Sequence, residues 1–192
     1  MNSKGTRPPA PTFMEKSYGF WALVAAVDVA IFMFLIMPWG AGRLETLSGG
    51  SGFFDALLHY SPELFYQMAA DFTEAGRRFY VAFSLIADTL FPLAYGLFFY
   101  FLLTWLAWLA MPKQGLYRKI GWLPLMTVLA DFLENGLLVS LVLRFPSEHP
   151  GLVQIASTVT SIKWLLVATL CLLVLLLAGV VIWRQLSPSV KP

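Results

Sequence analysis

Four long apolar stretches alternate with more polar segments along this chain, running from Tyr18 to Met37, Phe79 to Ala110, Ile120 to Leu143 and Ile155 to Trp183. Crossing the ~30 Å hydrocarbon layer takes about 20 residues of helix at roughly 1.5 Å each. Each stretch therefore predicts a transmembrane helix. The second and fourth exceed the minimum, and Pro92 and Pro124 offer two places for a bend. The longest loop, between the first two spans, divides in two. Gly40, Gly42, Gly49, Gly50 and Gly52 predict a turn-rich half. Ser61-Pro62-Glu63 then predicts a helix start: Ser61 caps free amides, Pro62 suits the first helical position, and Glu63 favours the positive end of the helix dipole. That helix runs to about Gly76. Leu64, Phe65, Met68, Ala69 and Phe72 form its apolar face, opposite Glu63, Gln67, Asp71 and Glu74. The acidic outer face disfavours attachment to anionic lipid and favours a lid on the protein's own helices. The predicted fold class is all-α: a polytopic membrane protein with four transmembrane helices in a bundle plus one amphipathic helix in the long first outer loop.

Composition supports the bilayer as solvent, because 58% of the 192 residues are hydrophobic and only 12% are charged, about half the charged fraction of soluble domains. Mean hydropathy is +0.71. Residues 1–16, with Pro8, Pro9 and Pro11, predict a disordered cytoplasmic arm, 17–186 a single membrane domain and 187–192 a tail. Lys4, Arg7 and Lys16 ahead of an apolar run also fit a signal peptide. A run of about 20 residues carrying Asp28 exceeds the roughly 7 to 15 of a signal h-region, so an uncleaved first helix is the better reading. Lys4, Arg7, Lys16, Lys113, Arg118, Lys119, Arg184 and Lys191 fall on one side, against Arg43, Arg77, Arg78 and Arg144 on the other. Positive charge is retained in the cytoplasm, which predicts both termini inside and the long loop outside. A net charge of +2 is too small to suggest a nucleic-acid partner.

Several chemistries drop out. Cys171 is the only cysteine, so the chain forms no internal disulfide, and a thiol-based quinone oxidoreductase is excluded. His59 and His149 lie outside the spans, so a bis-histidine haem between helices cannot be built, and neither cofactor nor metal is predicted. No Gly-rich phosphate loop, nucleophile elbow or zinc signature is present.

Charge inside the spans is the informative feature, since it is costly there and usually functional. Asp28 is nine residues from Met37, Asp88 nine from Phe79 and Glu134 nine from Leu143, which puts three carboxyls at roughly 14 Å from one surface. Asp131 lies one turn deeper and Lys163 at a similar level, so all five charges are expected to meet in one layer. Asp131, Glu134 and Asn135 stand at i, i+3 and i+4 on one helix face, which Thr127 extends. Two carboxylates so close cannot both ionise cheaply, so one is expected to carry a proton or to pair with Lys163. Ser157, Thr158, Thr160 and Ser161 supply hydroxyls around the lysine. Pro92 has no amide to give the Asp88 carbonyl, which frees that carbonyl as a cation or hydroxyl ligand.

The run Tyr60-Ser61-Pro62-Glu63, then Gly76-Arg77, Tyr80, Asp88, Phe91-Pro92, Tyr95, Asp131-x-x-Glu134-Asn135 and Lys163-Trp164 resembles a family of small four-helix bacterial membrane proteins. The resemblance covers about residues 45 to 165. It implies a bacterial inner-membrane protein and brings no activity with it. Three readings therefore stand. In the first, Asp28, Asp88, Asp131, Glu134, Asn135, Thr160 and Lys163 bind or pass a small polar, cationic or lipid-headgroup ligand. In the second, paired carboxyls act as acid and base on a lipid-like substrate. In the third, the layer is a structural polar knot that fixes helix pairing in an accessory subunit. Interhelical hydrogen bonds are worth only about 0.6 kcal/mol each, whereas inserting a charge costs about 2.5 to 3.5 kcal/mol, which favours a site over a knot. The partners expected are the bilayer, a lipid or small polar ligand, and a second copy or a larger membrane complex.

Overall fold

The computed structural model describes residues 13–111 and 119–187. The predicted arm lies outside the described residues up to position 12, as do Lys113, Arg118 and the tail beyond Ser187. The protein is all-helical, with no strand among the described residues. Among the described residues four helical rods are long and apolar enough to span a membrane, and they pack as a bundle. Helix α1 (Phe13–Ile31) passes through a π turn (Phe32–Ile36) into α2 (Met37–Ser48), making the first rod. Helices α4 (Glu74–Ala110), α5 (Leu123–Arg144) and α6 (Pro150–Leu186) make the others, and the short α3 (Pro62–Asp71) precedes α4. The α4, α5 and α6 rods pack against one another, while α1 lies principally against α4.

The first rod runs a full 11 residues beyond Met37, so Gly40 and Gly42 are helical rather than turn residues. A Cβ at Gly40 would collide with the Phe83 ring. Its missing side chain is what lets α2 lie close to α4. The turn comes at Gly49 and Gly50, whose φ values of +66° and +112° are open to glycine at little cost.

Helix α3 starts where expected. Ser61 accepts the Leu64 amide at 3.2 Å, Pro62 stands in the first turn, and a hydrogen bond to Ser61 holds the Glu63 carboxyl below the ordinary range. It ends at Asp71 rather than Gly76, because Thr73 caps a new helix by accepting the Gly76 amide at 3.0 Å. Phe65, Ala69 and Phe72 of its apolar face are buried, but Leu64 is exposed. Phe65 stacks on Phe54 with ring centroids 4.3 Å apart, inside a cluster with Tyr60, Phe72 and Tyr80. Burying one such ring stabilises by roughly 1.5–3 kcal/mol. The helix therefore covers one end of the bundle. At the other end Leu103, Leu106, Ala107, Ala110, Leu170 and Leu177 form a mainly aliphatic core.

The two prolines are placed differently. Pro124 stands in the first turn of α5, where a missing amide costs nothing. Pro92 sits inside an α4 that continues through it. Pro150 opens α6 five residues before Ile155.

Candidate functional site

Asp131, Glu134 and Asn135 project from α5 into the space between α4 and α6, and all three are buried. Their spacing alone places them on one face, and the crossing of the neighbouring helices supplies their partners. Lys163 of α6 reaches Glu134 Oε2 at 2.5 Å, and that oxygen has no other hydrogen-bond donor among the described residues. Thr160, one turn before the lysine, donates to Glu134 Oε1 at 2.5 Å. Tyr60 from the loop completes the chain, with its hydroxyl 3.3 Å from Thr160 Oγ1. Because Thr160 has one proton and two acceptors for it, Glu134 and the Ala156 carbonyl at 3.0 Å, Tyr60 is the donor in that contact. Burial raises the pKa of the Tyr60 phenol and keeps it neutral.

Asp131 is held without a cation in contact: Tyr95 of α4 donates to its Oδ2 at 2.8 Å and Asn135 to its Oδ1 at 3.2 Å. The second amide hydrogen of Asn135 goes to the Asp88 carbonyl at 2.8 Å. This is the carbonyl that Pro92 frees. A side chain of α5 thus takes the role of the absent amide and occupies one of the carbonyl's two lone pairs. The Asp88 side chain is itself buried, with Ser84 one turn before it beside its carboxyl.

The loop between α2 and α3 is tied to α6 by residues that recur on one helix face. The Tyr60 amide donates to Ser157 Oγ at 2.9 Å, Ser161 donates to the Leu58 carbonyl at 2.9 Å and Trp164 Nε1 to the Asp55 carbonyl at 3.2 Å. Ser157 also meets His59 Nδ1 at 2.8 Å. Thr158 takes no part; it is exposed and bonds back to Gln154. This tether brings in a residue the sequence did not mark. Asp55 Oδ1 is buried with no hydrogen-bond partner among the described residues, and its carboxylate is near enough to act electrostatically on Asp88, Asp131, Glu134 and Lys163.

The structure therefore brings Asp88, Asp131, Glu134, Asn135, Thr160 and Lys163 together and adds Asp55, Tyr60 and Tyr95. Asp28 stands apart. It is exposed on α1, in an apolar groove shared with Ala94, Leu97 and Phe101 of α4. No group of three or more His, Cys, Asp or Glu side chains among the described residues is placed to hold a metal ion. The carboxyls are spread along the layer rather than aimed at one point.

Neither the family models, the curated proteins nor the solved structures compared with this chain match it. The resemblance noted above rests on its motifs alone.

Proposed function

We propose that this membrane protein binds or passes a small cationic or polar ligand, an amine-bearing lipid headgroup included, in the carboxylate layer between α4, α5 and α6. One observation carries the reading: Lys163 is committed to Glu134 at 2.5 Å, which leaves Asp55, Asp88 and Asp131 without a cation in contact. Such a surplus of acid in a site of low dielectric calls for protons or for a positive guest. Because the acids are dispersed, an organic ammonium surrounded by several oxygens suits them better than a point-like metal ion. The loop carrying Asp55 closes over the layer and would be the entry side. The residues of the positive tally support both termini in the cytoplasm of a bacterial inner membrane, with that loop outside.

A second reading as an intramembrane enzyme draws on the two carboxyl environments, Glu134 beside a lysine and Asp131 among neutral donors. Groups so differently placed are what acid and base roles require.

Asp88→Asn separates the readings from a structural knot, because it removes an ionisable group without orphaning Lys163. Native mass spectrometry of gently purified wild type is expected to show a discrete small-molecule or lipid adduct that Asp88→Asn lacks at equal thermal stability. Identical bare spectra would sink the binding proposal, and a chemically altered adduct in wild type alone would move it to the enzyme.

A further inference from the structure

A second site lies at the same end of the bundle but on its outside, where the first turns of α4 meet the last turn of α5. Glu74, Arg77, Arg78, Val81, Ala82 and Leu85 follow one another at helical spacing, and with Val142, Leu143 and Phe145 they line a groove of about 420 Å³. The groove is graded along its length. Charge sits at one end, and eleven residues further along α4, roughly 16 Å, Leu85 and the facing Leu143 present exposed apolar side chains. Helix α4 has 37 residues, or about 55 Å at helical rise, so it overreaches the ~30 Å hydrocarbon core and carries its arginines into the headgroup zone.

The two arginines are held differently. Arg77 donates through Nη1 to the Phe72 carbonyl at 2.5 Å and to the Ala69 carbonyl at 3.4 Å, and its guanidinium lies 5.0 Å from the Phe145 ring centroid. It thereby satisfies carbonyls at the end of α3 and fixes that helix to α4. Arg78 is largely exposed and pairs with Glu74 at 2.5 Å. Two guanidiniums against one carboxylate leave the charged end positive, and the amino end of α4 adds to it. Arg144 is at the same end, between two lining residues in sequence.

We infer that this groove binds an anionic phospholipid, its phosphate at Arg77 and Arg78 and an acyl chain along Val81, Leu85 and Leu143. Charge complementarity selects the phosphate, and the apolar floor selects a lipid over the free ion. Glu74 competes with the phosphate for Arg78, which gives the inference a signature of opposite sign in two variants.

The full chain in neutral detergent is titrated with phosphatidylglycerol, phosphatidylcholine and inorganic phosphate, and bound lipid is counted by native mass spectrometry. Wild type is expected to retain phosphatidylglycerol over phosphatidylcholine. Arg78→Gln lowers phosphatidylglycerol affinity about fivefold, since a basic residue near the surface contributes about 1 kcal/mol, and Arg78→Lys restores most of it. Glu74→Gln raises affinity, and Ala82→Trp, which fills the groove from its exposed side, lowers the retention of lipid. Equal retention of the two lipids by wild type would overturn the inference. So would a Glu74→Gln or an Arg78→Gln protein that binds phosphatidylglycerol as wild type does. Displacement of the lipid by millimolar inorganic phosphate would make the site one for the free ion instead.

Discussion

Asp28 and Glu134 look alike in the sequence, each an acid nine residues from the apparent end of an apolar span, yet the structure gives them opposite surroundings. Glu134 is fully buried, with a lysine, a threonine and beyond it a tyrosine arranged around its two oxygens. Asp28 stands exposed on α1 among apolar neighbours, and no hydrogen bond or ion pair joins it to the layer. The difference teaches that depth along a helix fixes only one coordinate of an intramembrane charge. The direction in which the helix presents it decides whether it joins a site. Helix α5 is packed on two sides and half of its span is buried, whereas α1 touches chiefly α4 and leaves most of its circumference exposed.

The contrast can be broken most severely at Glu134. Glu134→Ala leaves Lys163 buried without its anion, and such orphaning costs about 3–5 kcal/mol; unfolding in a denaturing-detergent titration is expected to show a loss of that size, with much of it recovered in the Glu134→Ala/Lys163→Met double variant. A loss that the double variant does not recover would show that Glu134 stabilises through Thr160 and Tyr60 rather than through the lysine. An intermediate effect is expected from Asn135→Leu, which leaves the Asp88 carbonyl and one oxygen of Asp131 without their donor, at about 1–3 kcal/mol in the same titration. The smallest is Asp28→Leu, expected within about 0.5 kcal/mol of wild type or slightly more stable. A clear destabilisation there would mean that the outer face of α1 is packed against something, and the contrast between the two acids would narrow.

The distinction between these acids also marks how far the sequence could be read. Four apolar runs and the Ser61-Pro62-Glu63 start were legible because they depend on hydropathy and on local capping, both of which are written into neighbouring residues. The end of the first rod was not, because Gly40 looks the same whether it makes a turn or admits Phe83 against the backbone. The early start of α4 was written in Thr73 and Glu74, a cap followed by an acid, but the apolar face of α3 drew the boundary too late. For the site, the i, i+3, i+4 spacing of Asp131, Glu134 and Asn135 was readable, as was the pairing of one of the two acids with Lys163 as one of two outcomes, whereas which acid takes the lysine and the contacts of Tyr60 and Tyr95 were not. Asp55 had no local mark at all. It is an acid in a turn-rich loop, and only the anchoring of that loop by Ser157, Ser161 and Trp164 carries it over the layer. The facing of the first rod was equally hidden, since the π turn at Phe32–Ile36 shifts the angular register between α1 and α2 by one residue.

The clasp between Asn135 and the Asp88 carbonyl ties the history of two distant positions together. A chain that exchanged Pro92 for an ordinary residue would regain a backbone donor for that carbonyl, whose second lone pair still accepts the Asn135 amide. A chain that lost Asn135 first would carry a bare carbonyl beside three buried acids. Only the loss of Asn135 strips the carbonyl of its donor, so Pro92 ties the chain to Asn135 without Asn135 being tied to Pro92, and the order in which the two positions can change is fixed: the proline goes first.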